Sequence, residues 1–328
     1  MDTFLNIFKP GGRSSRSVVN QVQRLLRGVQ RQQEDDSPYS ERNRSGERLR
    51  VGHAGTLDPL AEGVLVVAVG RATRLIEYAQ RGVKEYVATF RLGVTSVTED
   101  IESELVPVTD EVIPDGAVIE AVGAAMRGTI MQRPPVFSAV HVEGKRSYDL
   151  ARRGVAVELP ERPVEIHEFE LLNYVYPELR FRLRCGSGTY VRSFGRDLAE
   201  RLGSGAVMSA LMRTSVGVFS VDDAIRLPDT PGSDVEAMRL IEAGRRPLAD
   251  GLGALPRLTL SELQLHRFHH GQSVALAEIT EYVDIPLENM ESRNHVEYAV
   301  FNTACELISI AAHIGDVLRP VKNLERRE

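Results

Sequence analysis

The sequence predicts an α/β protein of the α+β type, with one large domain and one small domain. A chain of 328 residues is longer than a typical single domain, so a large domain plus a small one is the natural division. Residues 63–70 form an apolar, β-branched run that predicts a buried strand, and residues 84–93 and 164–185 alternate as half-buried strands do. Apolar residues at helical spacing follow Ser14, which indicates that helices accompany the strands.

The remaining elements follow in chain order from the same patterns. The predicted elements are a strand at 4–8, a helix that starts after Ser14 and buries Val18, Val19, Val22, Leu25 and Leu26, the strand at 63–70, a helix at 71–80, the strand at 84–93, a helix at 117–126, two strands within 164–185, a helix capped by Thr189 that ends near Leu202, a helix at 235–243, and strands at 298–302 and 307–313. Residues 30–48 contain no aliphatic side chain and predict a mobile, inserted loop. Residues 226–254 are rich in Pro and Gly and predict a linker.

Composition narrows the class of protein. Hydrophobic content of 42% and charged content of 26% are those of an ordinary globular protein. No apolar run approaches the roughly 20 residues of a membrane span, and the N-terminus lacks the pattern of a signal peptide. Cys185 and Cys305 lie far apart, which argues for a reducing compartment and against a disulfide framework or a zinc site. We therefore expect a cytoplasmic protein without a membrane or metal partner; the His269-His270 pair has no ligand spacing around it.

The net charge of −6 does not by itself indicate a nucleic-acid-binding protein. From residue 251 onward the chain has 11 acidic and 7 basic residues, whereas residues 1–250 have 35 acidic and 33 basic residues. The larger part is therefore near neutral, with locally clustered arginines. Arg180, Arg182 and Arg184 share one face of a predicted strand. Such a row can contact phosphates, but a plain exposed face is the better interpretation.

Residues 52–59 form a small, polar loop that leads into the buried strand at 63–70. Pro59 favours an extended conformation for Asp58, so Asp58 lies at a stiffened turn rather than inside a helix. Loops held by a rigid scaffold often carry the chemistry of a protein. On composition alone, however, an Asp-Pro turn in which the aspartate caps the next element is the more common structure.

The string from Gly52 to Leu65 fits the pattern GHxGxLDPxAxGxL, which resembles the catalytic loop of the TruB-type tRNA pseudouridine synthases. A match of this length is specific. The resemblance implies that Asp58 is the catalytic aspartate of the family and that His53 is the histidine of its loop. It extends, in the family's order of motifs, over about residues 4–225.

Six further strings carry the resemblance. They are residues 9–15 (KPxGxSS), 84–93 (KxYxAxxxLG), 132–141 (QxPPxYSAxK), 144–154 (GxRxYxxAxxG), 188–199 (GTYIRxLxxDLG) and 202–219 (LGxGAHLxxLRRTxxGxF). Residues 9–15 do not form a nucleotide-binding P-loop, because no Gly-Lys-Ser/Thr closes them. Four of the departures from the family in these strings remove a polar group: Phe137, His141, Val207 and Met212 stand where the family has a phenol hydroxyl, a permanent cation, a histidine and an arginine.

The resemblance also implies roles for individual side chains. Tyr86 would stack on a base flipped out of its helix, since such a base exposes a π face, although without the resemblance a packed core tyrosine is the better interpretation. Tyr190 would assist proton transfer. Arg192, which by itself need only be a helix cation paired with a nearby acid, would orient Asp58 and favour its ionised form. His53 would fill the space left by the flipped nucleotide.

A second group of residues is expected to contact RNA. Leu211 keeps the apolar wall of the family's site, and Lys9 is the lysine of the N-terminal motif. Four cations between residues 144 and 154 form a patch that suits tRNA phosphates, while a solvated helix face is about equally consistent with the residues alone. These cations are Lys145, Arg146, Arg152 and Arg153.

The resemblance implies a fold and an activity. The fold is the pseudouridine synthase fold, a mixed, largely antiparallel sheet with flanking helices in residues 1–250, followed by a small PUA-like, β-rich RNA-binding domain in residues 251–328. The activity is the isomerisation of uridine to pseudouridine at position 55 in the T-loop of tRNA, by a monomer that needs no cofactor. Whether Asp58 attacks C1′, attacks C6 or abstracts a sugar proton is left open by the sequence.

Two other classes of protein remain open. A tRNA-binding or tRNA-folding protein without catalysis would share the fold, but the presence of Asp58, Tyr86, Tyr190 and Arg192 argues against it. A guide-RNA-dependent pseudouridylase subunit would share the site, but the bacterial-type N-terminal motifs and the weakly matching tail argue against that. Activity on purified tRNA in the absence of guide RNA distinguishes the three.

Overall fold

The computed structural model describes residues 1–35, 49–109, 112–138, 140–142, 144–151, 153, 159–230, 232–279, 282–283 and 296–324. The helices are α1 (Ser15–Asp35), α2 (Ile76–Arg81), α3 (Gly116–Ala125), α4 (Ser147–Ala151), α5 (Val191–Arg201), α6 (Asp234–Ala243) and α7 (Glu262–His269). The strands are β1 (Thr3–Lys9), β2 (Val51–His53), β3 (Glu62–Val69), β4 (Lys84–Leu92), β5 (Val94–Thr95), β6 (Val106–Pro107), β7 (Gly128–Gln132), β8 (His141–Val142), β9 (Lys145–Arg146), β10 (Arg162–Val175), β11 (Glu178–Cys185), β12 (Ala206–Val216), β13 (Phe219–Ser220), β14 (Arg245–Arg246), β15 (Arg257–Thr259), β16 (Val274–Ala275), β17 (Tyr282–Val283), β18 (Glu297–Phe301), β19 (Leu307–Ile314) and β20 (Val317–Asn323). None of the helices in these ranges has the length and apolar character needed to span a membrane.

The larger sheet runs through the first three quarters of the chain. Its strands lie in the order β14-β1-β3-β12-β4-β11-β10-β7, with β2 added beside β3 and β13 beside β12. The short contact between β12 and β3 is parallel, and the other pairings are antiparallel. The predicted mixed, largely antiparallel sheet is therefore confirmed.

Helices cover the larger sheet because each presents an apolar face to it. The face of α1 predicted from its spacing, Val18 to Leu26, is buried with Leu5, Ile7 and the strand β3. Helix α5 packs on β4 and β11 through Phe194 and Leu198, in a second cluster that also contains Tyr86 and Leu211. The candidate catalytic loop, residues 52–59, contributes Leu57 to this second cluster.

The smaller sheet occupies the C-terminal part of the chain. Its strands lie in the order β16-β20-β19-β18-β15-β17, and the pairing of β15 with β18 is parallel. Ala299, Phe301, Ile310 and Leu324 of this part share an apolar cluster with side chains of the larger sheet. The smaller sheet begins at Arg257, and the predicted boundary at residue 250 falls within a one-turn helix, Leu248–Leu252.

Three local predictions differ from the structure. Residues 30–35, predicted as the start of a mobile loop, continue α1 to Asp35, because Gln, Arg and Glu are good helix formers even without an apolar face; residues 36–48 lie outside the described part. Thr189 does not cap α5: its hydroxyl donates to the Gly186 carbonyl (3.1 Å), and the helix starts at Val191. The predicted linker at 226–254 contains the helix predicted at 235–243, which is α6, but it is not a free linker: α6 packs on the larger sheet, and Arg245–Arg246 form its edge strand β14.

Candidate active site

The loop that carries Asp58 is fixed at several points along its backbone. The N–H of Ala54 donates to the Val66 carbonyl (2.8 Å), and the Ser15 hydroxyl bonds both the N–H and the carbonyl of Leu57 (2.8 and 3.0 Å). After Asp58, the Pro59 carbonyl accepts from the N–H of Gly12 (2.8 Å). The loop therefore lies between the first turn of α1 and strand β3, and Asp58 has a fixed backbone position.

The Arg192 side chain lies directly on Asp58. Its Nε is 3.0 Å from Oδ2 of Asp58, and its side chain is 5% exposed, whereas that of Asp58 is 36% exposed. The guanidinium is thus enclosed by protein, while the carboxylate remains open to a substrate. Arg192 reaches this position because it lies in the first turn of α5, whose buried face packs on the sheet.

Three more acceptors hold the same guanidinium. Its terminal nitrogens donate to the Thr98 carbonyl (2.7 Å) and to the Phe137 carbonyl (3.0 Å). The carboxylate of Asp100, itself buried, lies 3.5 Å from one of them, and the Thr98 hydroxyl donates to Asp100 (2.5 Å). With acceptors in several directions in its plane, the Arg192 guanidinium has one orientation in which all are satisfied.

Tyr86 lies on β4 with its side chain buried among the same apolar residues as Leu57 and Leu211. Burial raises the pKa of the Tyr86 hydroxyl, and the neighbouring charge of Arg213 partly opposes this rise, while that of Asp58 adds to it. The hydroxyl therefore stays protonated at neutral pH, beside both Asp58 and Arg213. Leu211 lies opposite Ala88 in the register of β12 and β4, which places it on the wall of this region.

Tyr190 immediately precedes α5 and is held from two sides. The side-chain amide of Gln132 accepts from the Tyr190 N–H (2.8 Å) and donates to the Tyr190 carbonyl (3.1 Å). The Arg162 guanidinium lies over the Tyr190 ring, 5.1 Å from its centroid. Tyr190 and Arg192 stand on either side of Val191, the first residue of α5; the described contacts of Tyr190 are with Gln132 and Arg162.

The contact between Asp58 and the buried Arg192 guanidinium is the one that the resemblance implied for these two side chains. A family model described as "TruB family pseudouridylate synthase (N terminal domain)" matches residues 42–191. The chain is 40% identical over 272 residues to tRNA pseudouridine synthase B of Rhodopirellula baltica. The matched region covers 82% of this chain and 74% of that protein. The chain belongs to the TruB family. It is also 40% identical over 268 residues to tRNA pseudouridine synthase B of Gloeobacter violaceus, covering 80% of this chain and 82% of that protein.

Solved structures share the fold over the whole chain. A chain from the crystal structure of a Cbf5-Nop10-Gar1 complex superposes with a TM-score of 0.71 at 23% identity and covers 99% of this chain and 85% of that one. A chain from an H/ACA RNP bound to a substrate RNA containing 2′-deoxyuridine gives a TM-score of 0.69 at 22% identity, covering 99% and 86%. At these identities the likeness establishes the fold, including the C-terminal sheet that the TruB family model does not reach.

His53, the histidine of the TruB loop motif, ends strand β2 opposite Val67 and is half-buried. Burial lowers the pKa of its imidazole, and the nearby charges of Arg213 and Arg16 lower it further. His53 is therefore neutral at neutral pH.

Lys9 does not fit the prediction that it contacts RNA. Its side chain is fully buried, and its ammonium donates to the carbonyls of Pro10 (3.0 Å), Arg13 (2.6 Å) and Pro59 (3.2 Å). Burial lowers the pKa of Lys9 to about 8, although the charges of Asp58 and Glu62 raise it. Lys9 instead connects the end of β1 to Pro59, the residue that follows Asp58.

The predicted cationic patch falls largely outside the described residues. Arg152 is outside them, and so are the side chains of Lys145 and Arg146, whose backbone forms the short strand β9. Arg153 is described and exposed. On the sheet, Arg182 and Arg184 pair with Glu170 and Glu168 of β10, which supports the interpretation of an exposed, ion-paired face.

The sequence analysis did not single out Arg213, whose side chain hydrogen-bonds the backbone of the catalytic loop and of β3. Its side chain is buried, its Nε donates to the Val64 carbonyl (2.8 Å) and one terminal nitrogen donates to the Gly55 carbonyl (3.1 Å). A Cβ at Gly63 would lie 2.2 Å from the Arg213 carbonyl oxygen, so this glycine, at φ +104°, is required where β12 pairs with β3. The signal was present, because Arg213 stands in the string LMRT that resembles a family motif.

The described residues contain no group of three or more His, Cys, Asp or Glu side chains placed to hold a metal ion.

Proposed function

We propose that the protein isomerises uridine to pseudouridine in tRNA, at position 55 in the T-loop. The observation that carries the proposal is the Asp58 carboxylate, partly open to solvent and held at 3.0 Å by the enclosed Arg192 guanidinium, in a TruB family chain. The curated relatives at 40% identity are named tRNA pseudouridine synthase B. The four side chains to which the resemblance gives a part in catalysis are all present: Asp58, Tyr86, Tyr190 and Arg192.

The reaction rearranges bonds without any net change in composition. The C1′–N1 bond breaks, the base rotates and C1′ joins C5; the proton of C5 is lost and N1 gains one. No oxidant or reductant is consumed, so side chains that supply a nucleophile and move a proton are sufficient. We assign the role of nucleophile or base to Asp58.

Each neighbour has a role that its surroundings suit. Arg192 fixes the direction of the Asp58 carboxylate, because its own orientation is set by Thr98, Asp100 and Phe137. Tyr86 would stack on the flipped uracil, and Tyr190 would assist the proton transfer at C5 or N1. His53 would occupy the space that the flipped nucleotide leaves.

We propose that RNA is bound by both parts of the chain. Leu211, Lys145, Arg146, Arg152 and Arg153 would contact the T-arm beside the site, and residues 251–328 would act as a PUA-like RNA-binding domain next to the catalytic residues 1–250. The protein would act as a monomer in the cytoplasm. Dependence of tRNA affinity on salt would report the phosphate contacts of this surface.

A direct assay tests the proposed function. The purified protein is incubated with an unmodified tRNA transcript without guide RNA, and pseudouridine is mapped along the transcript. We expect modification at position 55 and none in a transcript that carries cytidine there. Binding without modification would instead indicate a tRNA-binding or tRNA-folding protein, and modification only after addition of a guide RNA would indicate a guide-dependent subunit.

A further inference from the structure

Arg192 and Arg196 lie one turn apart on α5 and reach the same two segments of the chain. Arg192 donates to the carbonyls of Thr98 and Phe137. Arg196 donates to the carboxylate of Glu99 and, through its other terminal nitrogen, to the Arg133 carbonyl (3.1 Å). The segments 98–100 and 133–137, which supply the acceptors of Arg192, are therefore also fastened to the same helix by Arg196.

Glu99 attaches segment 98–100 to helix α5. Its carboxylate is largely buried and accepts from the Ser193 hydroxyl (2.9 Å) as well as from Arg196. Its φ is +60°, in the left-handed region that few residues other than glycine adopt, so the segment is sharply turned at this position. This turn points the Glu99 side chain toward α5, while its two chain neighbours, Thr98 and Asp100, both face Arg192.

The charges explain why this fastening depends on Arg196. Burial raises the pKa of Glu99, and the cations of Arg196 and Arg192 counteract the rise, so an ionised Glu99 depends on these cations. Arg196 is in turn held by Asp197, whose carboxylate accepts from its Nε (2.9 Å) and a terminal nitrogen (2.6 Å). Removing Arg196 would leave the buried Glu99 carboxylate without its closest cation, so Glu99 would either take up a proton or move its segment toward solvent, and in both cases the ion pair that holds the segment to α5 is lost.

We propose that Arg196 and Glu99 are positioning residues for the reaction at Asp58. Among the described residues, neither side chain forms a hydrogen bond or an ion pair with Asp58. They hold, from the far side, the two segments whose acceptors orient Arg192, and through Arg192 they set the direction of the catalytic carboxylate. This inference rests on the proposed isomerase activity.

The test compares Arg196→Met with a matched control, Arg246→Met. Arg246 forms close ion pairs with Asp223 and Asp250, as Arg196 does with Glu99 and Asp197, and its exposure of 31% is close to the 24% of Arg196, but it lies on β14, the edge strand of the larger sheet. Pseudouridine formation is followed in single turnover at saturating enzyme. We expect a rate loss of at least about tenfold for Arg196→Met, since small misplacements of catalytic groups are costly, and a change under about twofold for Arg246→Met. Affinity for tRNA should stay within about threefold of wild type for both, because neither is expected to contact RNA.

A double variant separates positioning from a general structural role. If Arg196 acts through Arg192, Arg196→Met should cost little additional rate in an Arg192→Lys background, whereas independent structural damage would multiply the two losses. Arg196→Lys should recover part of the rate, because it restores a cation beside Glu99. Should Arg196→Met not fold, Glu99→Gln is measured in the same way and decides the question.

The outcomes are distinguishable from a failure of the proposed function. If the wild-type protein forms no pseudouridine in any tRNA, the proposed function is wrong. If the wild type is active, a folded Arg196→Met or Glu99→Gln variant within twofold of its rate overturns the inference. A loss equal to that of Arg246→Met, or one that multiplies with Arg192→Lys, also overturns it.

Discussion

At the scale of single residues, the site depends on a contrast between an enclosed cation and a partly open anion. Arg192 is 5% exposed and satisfied by neighbouring acceptors, so its cost of burial is offset by hydrogen bonds and two carboxylates. Asp58 keeps more than a third of its side chain exposed and depends on Arg192 for its direction. A substrate can therefore approach the carboxylate without displacing the group that orients it.

The first prediction is that Arg192→Lys is not a mild change. Lysine is a single donor centre and cannot reach Asp58, Thr98 and Phe137 at once, as the planar guanidinium does. We expect a loss of roughly 2 kcal/mol or more of transition-state stabilisation, about 30-fold in single-turnover rate. Arg201→Lys, on the exposed last turn of the same helix, serves as the control. An unchanged rate in the Arg192 variant would show that its contact with Asp58 does not matter for the reaction.

The second prediction concerns Lys9 and alkaline pH. Burial lowers its pKa from 10.5 to about 8. Between these pH values the unfolded chain holds a proton on Lys9 that the native protein has released. The free energy of unfolding therefore rises by about 1.4 kcal/mol for each unit of pH increase from this group. The gain is lost again as the pH falls to 8. Unfolding of wild type and Lys9→Met is compared from pH 7 to 10.5; Lys84, with a pKa similarly lowered to about 8, cancels in the difference. A difference that does not change with pH would contradict the assignment.

At the scale of elements, α5 is the part on which the site geometry depends most. It carries Arg192 and Arg196, and Gly195 between them allows the helix to approach the sheet closely. A Cβ at Gly195 would lie 2.0 Å from Cε1 of Phe90, a ring that itself stacks on Phe181. The distance of α5 from β4 is therefore set by a missing side chain.

The third prediction is that Gly195→Ala destabilises the protein and slows the reaction. The added methyl group must displace the packed Phe90 ring or the helix, at a cost of about 1–3 kcal/mol in the free energy of unfolding. Gly28→Ala is the matched helical control: it lies exposed on α1 with nothing within 4 Å of its Cβ, and we expect it to be neutral or to stabilise by up to about 1 kcal/mol. Equal stability of the two variants would refute the role given to Gly195.

How far the sequence predicts these elements depends on whether the signal is periodic. The alternation of β11 predicted its buried face, Leu179 to Cys185, because period-2 patterns report burial directly. Contacts that follow no periodic pattern could not be predicted from the sequence. Gln132 forms hydrogen bonds with Tyr190, 58 positions away in the chain. Arg192 donates to two backbone carbonyls, and because every residue has a carbonyl, the sequence does not indicate which ones. Lys9 was misjudged because a lysine at a strand end usually snorkels to solvent, whereas here three carbonyls converge on it.

At the scale of the whole molecule, the C-terminal sheet is joined to the catalytic part by side chains of one short region. Arg71 and Arg74 donate to the carbonyls of Leu324 and Asn323 (2.6 Å each). Glu297 accepts from the Tyr78 hydroxyl and from Arg81, at 2.9 and 2.7 Å. The shared apolar cluster adds to these contacts, because it packs side chains of the second sheet with side chains of β3, the strand that follows the Asp58 loop.

The fourth prediction is that residues 30–48 can be replaced by a four-residue Gly-Ser linker without loss of catalysis. The Leu49 carbonyl accepts a hydrogen bond from the Gln23 side chain (3.2 Å). Gln23 lies about 9 Å from residue 29 along the α1 axis. A four-residue linker spans up to about 14 Å and can therefore join residue 29 to Leu49. The segment has four basic and five acidic residues and should add little to the salt dependence of tRNA binding. A folded replacement variant that has lost its single-turnover rate at saturating enzyme would place the segment in the active site.

The most direct test of the account is the single-turnover rate of pseudouridine formation by Asp58→Asn on unmodified tRNA at saturating enzyme. The amide keeps the shape of the side chain and loses its charge, so we expect no measurable product while folding and tRNA binding stay close to those of wild type. Asp234→Asn, at an exposed ion pair with Arg24, should react as wild type does. A rate for Asp58→Asn within about tenfold of wild type, a barrier change of only about 1.4 kcal/mol, would contradict the claim that the Asp58 carboxylate carries the reaction.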